Sequence, residues 1–252
     1  MSLRTRPGRW TARPVGDAQR ILFCLPYAGG SANVYQEWPR EIHGAAVIPL
    51  QLPGRGSRFS EPPHHDMGAL VDDLLAGVRT YLDRPFAIFG HSMGARIAYE
   101  VACALLERGW PLPERIIAAG SPPPHLGPPA AAHLLPDQEF LAHLRGLGGT
   151  PPAFFDSPEL VDLALPTLRA DFAVVAGQSW APRTPIPVPI DALCGAADAA
   201  VSVADVAAWG DLTGGPFSMR VLPGDHFFIH EELPTVLESV GELLGQLQFS
   251  RG

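Results

Sequence analysis

The sequence predicts an α/β protein with an open, mostly parallel central sheet flanked by helices. Six short segments are predicted strands, and nearly all of them are continuously apolar, which is typical of strands covered on both faces. Longer segments with apolar residues at helical spacing lie between most of them. Strands that alternate with helices in this way form parallel sheets through right-handed crossovers.

The strands and helices are predicted from these two patterns in chain order. The predicted strands cover residues 20–26, 46–52, 85–90, 115–120, 188–195 and 217–223. The predicted helices cover residues 67–82, 93–108, 203–212 and 231–247. In the second helix, Ile97, Val101 and Leu105 recur at four-residue intervals and therefore share one face.

One proline-rich stretch interrupts this alternation. Residues 122–189 contain 14 of the 28 prolines, so a regular sheet cannot continue through them. Within the stretch, residues 136–147 and 157–175 have helical patterns, and Pro166 is expected to kink or divide the second helix. The stretch could be a linker to a small second domain. We favour a single domain, residues 1–252, with a helical lid inserted at about 122–187, because strands resume afterwards.

Composition excludes several function classes. All 18 basic residues are arginine, so chemistry that needs a lysine amine, such as a pyridoxal Schiff base or a P-loop, is excluded. The net charge of −8 argues against binding to nucleic acid or to anionic membranes. Three scattered cysteines and the lack of an apolar run of about 18 residues predict a cytoplasmic protein without disulfides or a membrane span.

The most informative motif is Gly-x-Ser-x-Gly at residues 90–94, between a predicted strand and a predicted helix. Such a tight turn presents its serine, here Ser92, at the helix N-terminus as a nucleophile. A glycine-flanked serine that only caps the helix is the alternative interpretation.

A nucleophilic serine needs a base and a group that orients the base. In this kind of sheet the acid precedes the histidine, and each follows a late strand. Asp198 and His226 meet both conditions, whereas Asp225 adjoins the histidine too closely in sequence to reach it. His226 and His230 could instead pair as metal ligands, but no further ligand is evident, and no metal is expected.

When a serine attacks a carbonyl group, the carbonyl oxygen becomes an oxyanion. Two backbone N–H donors are needed to stabilise it. Met93, the residue after the serine, is predicted to supply one. Tyr27 or Ala28, in the glycine-rich loop after the first strand, is predicted to supply the other. The alternative is a glycine-rich turn without a catalytic role.

Five motifs in order resemble the type II thioesterases of polyketide and non-ribosomal peptide synthesis. They read CLPYAGGSA (24–32), LPGRGSRF (52–59), FGHSMGARIAYEVA (89–102), CGAADAAVS (194–202) and GDHFFI (224–229). The resemblance implies an α/β-hydrolase fold with a helical lid, and hydrolysis of acyl thioesters from the phosphopantetheine arm of acyl or peptidyl carrier proteins. It also implies a Ser92–His226–Asp198 triad and an acyl-enzyme, with no further cofactor. The alanines around Asp198 depart from the more charged loop of the family.

Two arginines are candidate contacts for the substrate carrier. Arg55 and Arg58 flank a glycine turn and could contact the pantetheine phosphate or a carrier protein, since arginine binds phosphate bidentately. Internal salt bridges to Glu61 or Asp66 are the alternative.

A generic carboxylesterase or lipase is the main alternative function, followed by a silent binding module and an acyltransferase or cyclising enzyme. We expect a monomer.

Overall fold

The computed structural model describes residues 8–127, 131–178 and 184–249. Its strands are β1 (Arg20–Leu25), β2 (Glu41–Ile42), β3 (Ala45–Pro49), β4 (Phe86–His91), β5 (Ile116–Ala119), β6 (Ile190–Gly195) and β7 (Phe217–Leu222). They form one sheet in the order β2-β3-β1-β4-β5-β6-β7. All neighbours are parallel except β2, which is antiparallel to β3. The six predicted strands and the mostly parallel sheet are confirmed.

Two strands differ from the sequence prediction. β2 was not predicted because two residues are too short to show a pattern; a turn with positive φ at His43 and Gly44 joins it to β3. β7 lies at the sheet edge and is not covered on both faces, since Phe217 is 37% and Val221 50% exposed. The interpretation of the predicted strands as covered on both faces therefore does not hold for β7.

Helices cover both faces of the sheet. The helices outside the insertion are α1 (Met67–Val78), α2 (Met93–Glu107), α6 (Val203–Ala207), α7 (Phe228–Glu231) and α8 (Leu233–Phe249). Alternate residues of β1 point to opposite faces: Ile21 and Phe23 pack in the core that contains α1 and α2, whereas Leu22 packs in the core that contains α8. The predicted helix at 231–247 is two helices, α7 and α8.

The segment between β5 and β6 is helical, as its pattern predicts. It contains α3 (Asp137–Leu147), α4 (Pro152–Phe155) and α5 (Pro158–Ala176), while residues 128–130 and 179–183 of the predicted lid lie outside the described residues. α5 is one continuous helix, so Pro166 does not divide it, although proline cannot donate to the carbonyl of Asp162. None of the described helices is long and apolar enough to cross a membrane.

Candidate active site

The turn between β4 and α2 holds Ser92 in a strained conformation, with φ 54° and ψ −114°. The two flanking glycines make the turn possible. A Cβ at Gly90 would lie 2.2 Å from the carbonyl carbon of Gly94, and a Cβ at Gly94 would lie 2.2 Å from the carbonyl oxygen of Leu25. Only hydrogen fits at either position, so the motif allows β1, β4 and α2 to meet directly beneath the serine.

Three side chains from separate loops form a chain of hydrogen bonds at this edge of the sheet. Nε2 of His226 lies 3.3 Å from Oγ of Ser92, and Nδ1 of His226 lies 2.7 Å from Oδ2 of Asp198. The structure thus brings together the three residues predicted as nucleophile, base and acid. A base placed between a hydroxyl and a carboxylate can remove the hydroxyl proton and remain correctly oriented.

The Asp198 side chain is fully buried, and both of its carboxylate oxygens take part in hydrogen bonds. Its Oδ1 accepts hydrogen bonds from the N–H groups of Ala200 and Val201 at 2.8 and 3.0 Å. Burial alone would raise the pKa of Asp198, but the hydrogen bonds and charge of His226 and these two amides outweigh it and lower the pKa. The carboxylate therefore stays ionised and can stabilise a protonated His226.

Asp225 lies in the loop of His226 and directly precedes it, but its carboxylate has a different role from that of Asp198. Its Oδ1 accepts the N–H of Phe227 at 2.7 Å, which shapes the turn that presents the histidine. The loops after β6 and β7 also approach closely, since a Cβ at Gly195 would lie 2.3 Å from the Asp225 carbonyl oxygen. This contact brings Asp198 and His226 together from different strands.

His91 forms a hydrogen bond with the backbone of His226. It is fully buried, and its Nε2 donates to the carbonyl oxygen of His226 at 2.8 Å. Burial, and next the neighbouring His226, hold the pKa of His91 well below its usual value, so the ring is neutral. The sequence motifs did not predict this role of His91. Its position before the serine was the only sequence signal.

The three residues predicted to supply oxyanion donors all line the cavity beside Ser92: Tyr27, Ala28 and Met93. Within residues 8–127, 131–178 and 184–249, none of their backbone N–H groups donates to a protein acceptor. The next amide, Gly29, is already engaged, because it donates to Oδ2 of Asp171 at 2.7 Å. The loop is therefore held in place while donors remain available.

The structure does not place Arg55 and Arg58 as surface contacts for a partner. Arg55 is 7% exposed and forms a bidentate ion pair with Asp171 at 2.5 and 2.7 Å. Arg58 is 3% exposed and pairs with Glu61 at 2.8 Å and with Asp73 at 3.2 Å. Their guanidinium groups already bind carboxylates inside the protein. The internal salt bridge from Arg58 to Glu61 is confirmed, whereas the partner of Arg55 was not foreseen.

A cavity of about 780 Å³ opens beside Ser92 and His226. The helical insertion supplies most of its apolar wall, namely Leu144, Leu147, Phe154, Leu163, Leu168, Phe172 and Val175. The insertion contacts the histidine loop directly, since a Cβ at Gly149 would lie 1.8 Å from the ring of Phe227. An apolar cavity of this size that contains the serine can accept an acyl chain.

His230 also lines this cavity. Its Nε2 lies 3.1 Å from Oη of Tyr27, and the two rings are in edge contact. Among the described residues, no group of three or more His, Cys, Asp or Glu side chains could hold a metal ion.

Comparison with known proteins agrees with this geometry. A family model described as "Thioesterase domain" matches residues 20–244. A Brevibacillus parabrevis protein named linear gramicidin dehydrogenase LgrE is 39% identical over 243 residues, covering 92% of each chain. The Gly-x-Gly-x-x-Gly motif of dinucleotide-binding proteins does not occur in the present sequence.

Two solved structures are similar over nearly the whole chain. One is RedJ, a thioesterase from the prodiginine pathway of Streptomyces coelicolor, with 39% identity, a TM-score of 0.83, and coverage of 90% of this chain and 86% of that one. The other is the type II thioesterase BorB from the borrelidin cluster, with 35% identity, a TM-score of 0.82, and coverage of 95% and 99%. The fold is that of the α/β-hydrolases, and the chain belongs to the thioesterase domain family.

Proposed function

We propose that this protein is a type II thioesterase that removes aberrant or stalled acyl groups from the phosphopantetheine arm of acyl or peptidyl carrier proteins. The observation that supports this most directly is the Ser92–His226–Asp198 hydrogen-bond chain at the mouth of an apolar cavity. Relatives from polyketide and non-ribosomal peptide pathways support the substrate class. They do not favour a generic carboxylesterase.

The reaction follows from the positions of these groups. Ser92 Oγ attacks the thioester carbonyl while His226 Nε2 takes its proton, and the amides of Met93 and of Tyr27 or Ala28 bind the oxyanion. Collapse breaks the C–S bond, and the pantetheine thiolate leaves with the proton from His226. Water, deprotonated by His226, then attacks the acyl-enzyme and releases the carboxylic acid and Ser92.

Partner recognition in this proposal does not use Arg55 or Arg58 as free cations, because both are paired internally. The protein needs no cofactor of its own, since the pantetheine belongs to the partner. The monomeric state and the cytoplasmic location remain predictions from the sequence.

The test is mass spectrometry of carrier proteins loaded with short acyl groups, incubated with wild type or with Ser92→Ala. We expect wild type to strip the acyl group and the variant to leave it in place. A p-nitrophenyl ester assay serves as the comparison. Cleavage of the ester through Ser92 without any loss of carrier-bound acyl would contradict the proposal and favour a carboxylesterase.

A further inference from the structure

The loop after β1, which carries the candidate oxyanion donors Tyr27 and Ala28, contains a tight turn. The N–H of Gly30 donates to the carbonyl oxygen of Tyr27 at 2.9 Å. Gly29, the third residue of this turn, has φ 77°, as a type II turn requires. Type I and type II turns differ chiefly in the orientation of the peptide group between their two central residues, which here are Ala28 and Gly29.

Asp171 of helix α5 binds this turn from the side of the insertion. The side chain is 2% exposed, and its Oδ2 accepts the N–H of Gly29 at 2.7 Å. Its ion-pair partner Arg55 lies close to the same turn, with Nη1 3.5 Å from the carbonyl oxygen of Gly30. Leu168 of the same helix also contacts the turn, since a Cβ at Gly29 would lie 2.5 Å from Leu168 Cδ2. Helix α5 therefore contacts the turn through a polar and an apolar side chain.

The residues that precede the candidate donors are held by a different element. A Cβ at Gly94 would lie 2.9 Å from the carbonyl oxygen of Pro26, so α2 packs directly against this part of the loop. The candidate donors thus lie between a contact with α2 and the hydrogen bond to Asp171. Their distance from Ser92 depends on both. A misplacement of about 1 Å in an active site can lower the rate by about 100-fold.

We propose that Asp171 is a positioning residue for the thioester reaction. By accepting the Gly29 N–H, its carboxylate holds the candidate oxyanion amides at the distance from Ser92 that the reaction needs. The ion pair with Arg55 keeps the carboxylate in the orientation that accepts this N–H. The inference rests on the proposed function, and it gives a helix of the insertion a part in catalysis beyond lining the acyl cavity.

The experiment compares two double variants, Arg55→Met/Asp171→Asn and Arg55→Met/Asp171→Leu. Both lack the buried ion pair, and asparagine and leucine have similar shapes. Asparagine keeps an oxygen that can accept the Gly29 N–H, but it also buries an amide group without its partner, so stability alone favours the leucine variant. Both kcat and KM are measured on butyryl-pantetheine. We expect kcat of the leucine variant to be about 100-fold below that of the asparagine variant, with similar KM values.

The control variant is Arg115→Met/Asp191→Leu. It removes another buried ion pair, 2.6 Å long, whose two residues are not among the described residues that line the cavity. Its kcat should match that of wild type. Equal kcat values in the two Asp171 variants, or a loss in the control as large as in the leucine variant, would overturn the inference and leave the proposed function intact. A wild-type protein that cleaves no thioester would overturn both.

Inhibition by an alkyl trifluoromethyl ketone reports on the oxyanion directly. Ser92 Oγ adds to the carbonyl carbon of the ketone, His226 takes the hydroxyl proton, and the carbonyl oxygen becomes an oxyanion. The leucine variant should bind this ketone about 100-fold more weakly than the asparagine variant. A purely structural defect lowers the amount of folded enzyme without changing the inhibition constant of the folded fraction. Equal inhibition constants would therefore overturn the inference.

A further measurement uses wild type and does not depend on the folding of any variant. Backbone amide resonances are recorded by NMR with and without the ketone. We expect the amide proton of Tyr27 or Ala28 to move downfield more than that of Gly29, because Asp171 already accepts the Gly29 N–H. A larger downfield shift at Gly29 would show that this amide binds the oxyanion itself, and would overturn the inference.

Discussion

Asp171 and Arg55 form a buried bidentate ion pair that joins helix α5 of the insertion to the loop after β3. The same carboxylate accepts the N–H of Gly29, next to the predicted oxyanion donors. One side chain of the insertion therefore contacts both the loop that contains Tyr27 and Ala28 and the loop that contains Arg55. This carboxylate connects the insertion to the candidate oxyanion loop.

Removal of Asp171 should destabilise the protein strongly. Asp171→Ala leaves the Arg55 guanidinium buried without its partner, and we expect the free energy of unfolding to fall by about 3–5 kcal/mol. Replacing both residues by Met should cost less than Asp171→Ala, because no charge is then left buried. Denaturant unfolding measures both. Glu242→Ala, which breaks an exposed pair with Arg220, is the control, and a similar loss there would contradict the argument.

Asp198 and Asp225 allow a direct comparison of two carboxylates near one histidine. Asp198→Asn removes the charge that faces His226 Nδ1 and should lower kcat by about 10⁴-fold with the fold intact. Asp225→Asn retains an oxygen that can accept from the Phe227 N–H, so its kcat should stay within about tenfold of wild type. The kcat of both variants is measured by steady-state kinetics on a soluble thioester. Equal losses of kcat in the two variants would refute the assignment of Asp198 as the acid.

Two glycine-to-alanine changes should have opposite effects on stability. At Gly94 the new methyl group would lie 2.2 Å from the Leu25 carbonyl oxygen, so we expect loss of folded protein or of activity. At Gly146, in α3, no atom lies within 4 Å of the added Cβ, and alanine should raise the free energy of unfolding by about 0.5–1 kcal/mol. Thermal unfolding checks both changes. A stable, active Gly94→Ala would contradict the close approach of α2 to β1.

Because the pKa of His91 is lowered in the folded protein, we expect the stability of the protein to depend on pH. Because burial lowers its pKa in the folded state, the unfolded state binds a proton below about pH 6.5 that the folded state does not. Stability is therefore lost as the pH falls, at about 1.4 kcal/mol per pH unit until the folded-state pKa is reached.

His91→Gln retains a donor for the His226 carbonyl oxygen but cannot be protonated, so its loss of stability between pH 7.5 and 5.5 should be smaller than that of wild type. Urea unfolding at the two pH values measures the difference. The exposed His65→Gln variant is the control, and its pH dependence should match wild type. Parallel curves for wild type and His91→Gln would show that His91 does not cause the effect.

The sheet and the reactive groups were predictable because their determinants are local. Buried parallel strands need continuous apolar runs, and the strained turn at Ser92 needs glycine on both sides. The positions of Asp198 and His226 follow from strand order, since parallel strands end at one edge of the sheet. β2 escaped prediction because two residues do not form a pattern, and the exposure of β7 depends on its place at the sheet edge.

The sequence by itself determined which residues meet at the end of the sheet, because strand, turn and helix signals lie within a few residues of one another. Only the tertiary structure decided the partners of the arginines. Arg55 pairs with a carboxylate 116 residues away, whereas Arg96 reaches only an amide within the described chain. Ion pairing and burial depend on distances between segments that are far apart in sequence, and no local pattern encodes those distances.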